Sequence, residues 1–328
     1  MAHPGAISDP VRMRILACCL LLAACGGNPG PENGAPAGGP AAPPLRTFDR
    51  TLHATTFNGT RLTYRVTGDS GAPPVVFVHG TLADLNSWGG QENLFAQRYR
   101  VLVYSRRYHR PNPQVEDNQT YSPKLHSEDL AAMLLTLDLA PAEIIGSSYG
   151  AYTALQLVRD HPQLVRGLVL AEPPIFSLLT ASEEGDAARR TFFTYALDPA
   201  RAAFARRDSV AGVRLFFDAT TGRGAFNRLT AAGRATLLAH AFELRREMLA
   251  ERADYLPPVT CAELGRITTP VLLVRGERSP RMFQLITDEL ARCLQNDTTV
   301  VIPGAGHPPH TGNPAYFSLV VLRYIASH

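Results

Sequence analysis

Lysine is almost missing: of 32 basic residues only Lys124 is a lysine, and the other 31 are arginine. With 29 acids the net charge is only +3, so the arginines reflect base composition and form no basic stripe. No nucleic-acid partner is expected. No apolar run reaches the length of a membrane span, which excludes a polytopic membrane protein. Repeats and heptads are absent too, removing solenoids and coiled coils. There is no H-x-H, no H-E-x-x-H, no C-x-x-C and no P-loop, so neither a metal nor a cofactor is expected. Tryptophan occurs once, at Trp88, where core packing or a pocket wall is the role to expect. What the chain does have is bulk: 328 residues, 45% hydrophobic and 19% charged, enough to bury an enzyme-sized core.

The first 46 residues read as an address and a tether. Arg12 and Arg14 precede a ten-residue apolar run, Ile15 to Ala24, which is short for a span and suits the core of a secretory signal. It ends in Leu22-Ala23-Ala24-Cys25-Gly26, which resembles a bacterial lipobox and makes Cys25 the lipidation candidate. Residues 1–25 are then a lipoprotein signal. Residues 26–46 form a tether in which twelve of the 21 positions from Gly26 to Arg46 are Gly or Pro. Such a stretch has too few apolar side chains to offset its ordering entropy. The expected location is the bacterial cell envelope, lipid-anchored on a periplasmic or extracellular face, or the cytoplasm if the lipobox is spurious. Of the five cysteines only Cys261 and Cys293 fall in the folded part, a disulfide candidate whose alternative is two free thiols.

From residue 47 the pattern alternates. Thr51–Phe57 and Arg61–Val66 flank Asn58-Gly59, a hairpin signal. Short apolar strands follow at 75–78, 101–104, 144–145, 168–170, 271–274 and 299–302. Helical stretches are expected at 85–98, 127–137, 151–159, 282–294 and 314–325. Unbroken apolar strands alternating with helices predict an α/β fold with a mostly parallel sheet covered on both faces. Residues 175–258 break the rhythm with amphipathic helical pieces, such as 200–217 and 229–253, and read as a helical cap inserted into a core of 47–174 and 259–328.

One motif carries chemistry. Gly146-Ser147-Ser148-Tyr149-Gly150 follows a strand and opens a helix, so it is G-x-S-x-G in the context that gives the pattern meaning. The turn lifts the Ser148 hydroxyl clear of the sheet, and the helix start offers N–H groups to developing negative charge. A serine needs a base. His307, in Gly304-Ala305-Gly306-His307 after the last strand, is the first candidate and His310 its rival. His79, in Val78-His79-Gly80-Thr81, is expected to shape a loop whose Thr81 N–H joins that of Tyr149 in an oxyanion hole. Tyr104-Ser105-Arg106-Arg107-Tyr108 is expected to brace the site through arginine hydrogen bonds.

With His79-Gly80, Gly146–Gly150 and Gly304–His307 in this order, the chain resembles the α/β-hydrolase fold over residues 51–328. The resemblance implies Ser148 as nucleophile, His307 as general base and a cap roofing the pocket. It also exposes a departure. The family's usual acid stands three residues after the glycine ending the penultimate strand, and here Gly276-Glu277-Arg278-Ser279 puts a serine there. Two carboxylates can replace it. Glu172 ends the sixth strand at the edge that carries sites in such sheets, as in some haloalkane dehalogenases, and Glu277 is the alternative.

The expected function is that of a serine hydrolase cleaving an ester or related acyl bond in a small molecule. A carbon–carbon hydrolase or a cofactor-free haloperoxidase or perhydrolase would use the same site. A lipid-anchored binding protein that lost the chemistry is the alternative of another class. Phe192, Phe193, Phe204, Phe216 and Phe217 suggest an apolar acyl pocket or simply the core of the cap.

Overall fold

The computed structural model describes residues 45–328; Cys25, the signal and most of the tether lie outside the described residues. Eight strands form one sheet: β1 (His53–Phe57), β2 (Thr60–Thr67), β3 (Pro74–Val78), β4 (Arg100–Tyr104), β5 (Ala142–Ser147), β6 (Val165–Ala171), β7 (Val271–Gly276) and β8 (Asp297–Ile302). Their spatial order is β1-β2-β4-β3-β5-β6-β7-β8. The β1–β2 and β2–β4 pairs are antiparallel and every other pair is parallel. Asn58 and Gly59 turn the first hairpin with positive φ at both positions, the conformation that matches strand twist.

The strands are apolar on both sides because both faces are covered. Val76, Val78, Leu102, Ile144 and Leu168 point into one buried cluster. Their neighbours Val75, Phe77, Val103, Ile145 and Val169 point into the other. Trp88 belongs to the second cluster, fully buried against Phe77 and Phe317.

Several helix bounds differ from the sequence expectation, each for a local reason. The helix expected from 127 starts at Pro123, because the Ser122 hydroxyl caps Leu125 N–H and Pro123 suits the first turn. The 85–98 stretch is a turn of 3-10 helix, Leu85–Trp88, followed by Gly89–Phe95, with the break at a glycine pair. The 200–217 stretch divides into Asp198–Ala205 and Ser209–Thr221. Arg207 takes a positive φ between them, and Asp208 caps the second helix by accepting from Ala211 N–H. The 229–253 stretch divides into Ala231–Leu238, Ala241–Leu249 and Arg252–Tyr255. Described residues 175–258 contain helices and turns but no strand. Cys261 and Cys293 are joined by a disulfide, tying the turn Cys261–Leu264 to the end of helix Arg281–Cys293.

Candidate active site

Strand β5 delivers Ser148 into a strained turn: φ is +54° and ψ −123°, a region that a non-glycine residue occupies only under constraint. The constraint is close packing. A Cβ at Gly150 would stand 2.2 Å from the Val78 carbonyl oxygen, and one at Gly146 would stand 2.5 Å from Ala151 Cα. Only glycines fit, and helix Tyr149–Asp160 begins immediately after the serine. Ser148 N–H is held by the Ala171 carbonyl at 2.8 Å, which ties the turn to the end of β6.

Glu172 follows at that same strand end, fully buried, with φ of +52°. One carboxylate oxygen accepts from Gly276 N–H at 2.7 Å. The other accepts from His307 Nδ1–H at 2.7 Å. Because an ionised carboxylate only accepts, the imidazole proton sits on Nδ1 and Nε2 keeps its lone pair. Nε2 lies 3.1 Å from Ser148 Oγ, whose hydroxyl donates to it. Phe283 stacks on the His307 ring at 4.1 Å and fixes its plane. Serine, histidine and glutamate therefore form one hydrogen-bonded chain across the carboxyl ends of β5, β6 and β8.

The rival residues are elsewhere. Glu277 is exposed and accepts from Gly304 N–H at 2.7 Å. His310 lies buried against Trp88, ring centroids 4.1 Å apart, with neither ring nitrogen hydrogen-bonded. Burial, helped by neighbouring His307, pushes its pKa down to about 3. Ser279, standing in place of the usual acid, is buried with its hydroxyl unpartnered.

The loop after β3 is held rigidly. Arg106 is fully buried and donates to the His79 carbonyl at 2.9 Å, the Gly80 carbonyl at 3.0 Å and the Tyr121 hydroxyl at 3.1 Å. Its backbone N–H donates to His79 Nε2 at 2.9 Å, so His79 carries its proton on Nδ1 and donates it to the Gly80 carbonyl at 2.8 Å. Thr81 and Tyr149, the sequence candidates for the oxyanion hole, thus flank Ser148 on this braced loop and on the first residue of the helix. Arg107 is drawn away instead, paired with buried Asp129.

A cavity of about 220 Å³ opens beside Ser148 and His307. Gly80, Thr81, Leu82, Phe216, Phe217 and Leu237 are among its walls, with His310 and Thr311. Of the five phenylalanines that the sequence suggested for an acyl pocket, only Phe216 and Phe217 line it. Phe192 and Phe193 pack on Phe176, and Phe204 packs against Gly212.

The cap also supplies a residue that sequence reasoning missed. Glu247, on helix Ala241–Leu249, accepts from Thr81 Oγ1 at 2.9 Å, Tyr255 OH at 2.8 Å and Tyr121 OH at 3.2 Å. Burial pushes its carboxyl pKa up to about 7 against the pull of Arg106. No local pattern marks it, because every partner comes from a distant segment.

Comparison with known proteins gives a consistent fold. Residues 73–314 match a family model described as the alpha/beta hydrolase fold. The chain is 24% identical over 270 residues to the mouse sn-1-specific diacylglycerol lipase ABHD11, covering 79% of this chain and 83% of that protein. It is 23% identical over 269 residues to 2-(acetamidomethylene)succinate hydrolase of Mesorhizobium japonicum, covering 81% of this chain and 92% of that one. The hydrolase YraK of Bacillus subtilis is 31% identical over 125 residues, only 38% of this chain and 45% of YraK. Among solved structures, Est816, an N-acyl homoserine lactone degrading enzyme, superposes with a TM-score of 0.65 at 23% identity, covering 83% of this chain and all of that one, 100%.

Proposed function

The chain belongs to the α/β-hydrolase fold family and is a hydrolase, and on that premise we propose that it cleaves a carboxylic ester or related acyl bond through an acyl-enzyme on Ser148. The observation that carries the reading is the unbroken chain Glu172–His307–Ser148, with contacts of 2.7 and 3.1 Å.

Ser148 Oγ attacks the carbonyl carbon while His307 Nε2 takes its proton. Glu172 keeps the other imidazole proton on Nδ1 and stabilises the imidazolium that forms. The N–H groups of Thr81, on the loop that Arg106 fixes, and of Tyr149, at the helix start, receive the developing oxyanion with little reorganisation. The protonated imidazole then delivers its proton to the leaving oxygen, which departs as an alcohol. A water deprotonated by His307 splits the acyl-enzyme, returning Ser148 and releasing the acid. A serine rather than an aspartate at position 148 argues against alkyl-enzyme chemistry. Ser279 stands where the usual acid would, and the hydrogen bond between Glu172 and His307 supports the catalytic reading over that of a non-catalytic binding protein.

The cavity of about 220 Å³ with Leu82, Phe216, Phe217 and Leu237 in its walls suits a short or medium apolar acyl group. The lipobox-like segment ending at Cys25 supports export and lipid anchoring at the cell envelope. Mass spectrometry of the mature N-terminus tests that part: lipid on Cys25 is expected, and an intact Met1 overturns it.

Rapid mixing with p-nitrophenyl butyrate tests the chemistry. One p-nitrophenol per chain should appear in a burst, followed by slower turnover, and Ser148→Ala should show neither. Folded wild-type protein inert to short and medium esters, or turnover that survives in Ser148→Ala, overturns the reading.

A further inference from the structure

Behind the braced loop, on residues that do not line the cavity, three metal-ligating side chains converge. His109 comes from the loop after β4, and His240 and Glu243 come from one turn at the start of cap helix Ala241–Leu249. All three are buried, and their ligand atoms lie within 4.8 Å of one another. His109 Nδ1 is 3.6 Å from Glu243 Oε1, and His240 Nδ1 contacts the same oxygen. Bonds of about 2.0–2.1 Å to a tetrahedral cation would set these atoms roughly 3.4 Å apart, an adjustment of about 1 Å or so.

The surroundings are those of a built site. His240 turns Nδ1 to the glutamate, while His109 Nδ1 is hydrogen-bonded to the Ala83 carbonyl at 2.9 Å with the same glutamate oxygen 3.6 Å away. His109 Nε2 is 3.1 Å from the Tyr121 hydroxyl. His240 Nε2 is 4.0 Å from an Asp84 carboxylate oxygen. The Tyr121 oxygen on His109 Nε2 is the kind of outer partner that fixes a metal-bound histidine in the required tautomer, whereas Asp84 stands beyond hydrogen-bond reach of His240. Glu243 is fully buried, and its Oε2 has no hydrogen-bond partner. A carboxylate left half satisfied away from water is costly, and a cation between it and the two imidazoles would use that empty oxygen. The Ala83 carbonyl, now 2.9 Å from His109 Nδ1, adds an oxygen beside the same point.

We propose that His109, His240 and Glu243 bind a divalent transition-metal cation of the zinc type, clamping the cap onto the loop that carries Thr81. Two imidazoles and one carboxylate are borderline-soft ligands that suit zinc, cobalt or nickel and disfavour calcium or magnesium. Ligation needs the lone pair of His109 Nδ1, so the single proton of its neutral ring sits on Nε2, facing the Tyr121 hydroxyl. The cation has a structural task, since none of its three ligands lines the cavity beside Ser148. Sequence patterns hide the site: His240-Ala-Phe-Glu243 is one helical turn, and the third ligand lies far upstream.

The test uses the full chain without a histidine tag, stripped by chelator and titrated with zinc chloride alone, then with cobalt chloride. One zinc per chain should bind. At a hundredfold excess over Kd, the melting temperature should rise by roughly 5 °C. Cobalt should give the visible bands of a low-coordinate nitrogen–oxygen site. Glu243→Gln, close to isosteric, should lose the bands and the thermal shift. Wild-type protein that binds neither zinc nor cobalt overturns the proposal whatever the variants do. Equal binding by Glu243→Gln, or by His240→Asn if the first variant misfolds, overturns it as well by locating the metal elsewhere.

Discussion

Replacing Glu172 by glutamine separates the role of its charge from that of its shape. The two carboxylate oxygens have different partners, Gly276 N–H and His307 Nδ1–H, each at 2.7 Å. The backbone N–H of Gly276 is a donor that cannot change, so the one remaining carbonyl oxygen of the glutamine must face it. The reverse orientation would leave buried donors opposed, at about 1–3 kcal/mol. The amide NH2 therefore meets His307 Nδ1 and forces its proton onto Nε2, which then points a hydrogen at Ser148 Oγ instead of a lone pair. A base in that tautomer cannot take the serine proton. The loss should approach 10⁴ in kcat, about 5.4 kcal/mol at the transition state, with KM within about threefold. Steady-state hydrolysis of p-nitrophenyl butyrate near about pH 8 reads the split, with far-UV circular dichroism as the folding control. Glu277→Gln is the partner experiment. Its carboxylate holds Gly304 N–H at the surface, so activity should stay within about twofold of wild type. If Glu172→Gln keeps kcat within about tenfold, the tautomer argument is refuted. A collapse in Glu277→Gln instead would move the acid to that residue.

Other outcomes follow from the buried groups. Glu247 is held near pKa 7 in the folded chain against 4.5 as its ordinary value, so its stabilising effect is full below pH 4.5 and is lost as pH rises through 7. The span amounts to about 3 kcal/mol, and urea unfolding in metal-free buffer at acid and neutral pH should show it in wild type relative to Glu247→Gln; parallel pH profiles would contradict it. Burial drives His79, His109 and His126 in the opposite direction, well below the usual imidazole range. The disulfide closes a separation of 32 residues, so Cys261→Ser with Cys293→Ser should destabilise by about 4 kcal/mol; an unchanged urea midpoint would show that the bridge adds nothing. Phe217 lines the cavity only partly buried, so Phe217→Ala should raise the octanoate-to-butyrate ratio of kcat/KM by about tenfold. An unchanged ratio would place the acyl chain elsewhere.

Much of the fold was legible because its signals are local. The strands announce themselves as short apolar runs, and helix Pro314–Ile325 has the bounds that its composition suggests. Gly146–Gly150 was readable for the same reason: strand, serine and helix are contiguous. Glu172 stood as a candidate without its contacts, since a carboxylate directly after a central strand stands at the edge where such sites form. The cap helices were harder, because Arg206-Arg207-Asp208 carries neither glycine nor proline and breaks the helix through a left-handed arginine and an aspartate cap. Glu247 and the cluster of His109, His240 and Glu243 were out of reach. Each is defined by the docking of the cap on the core, which brings together residues with no shared sequence pattern.

The most direct test of the account is covalent labelling. Purified protein treated with a fluorophosphonate should gain one adduct per chain by intact mass, and peptide mapping should put it on Ser148. His307→Asn, folded but without the base, should label far more slowly, and Ser148→Ala should not label at all. An adduct on another residue, or a folded wild type that stays unmodified, would contradict Ser148 as the nucleophile of a Ser148–His307–Glu172 relay.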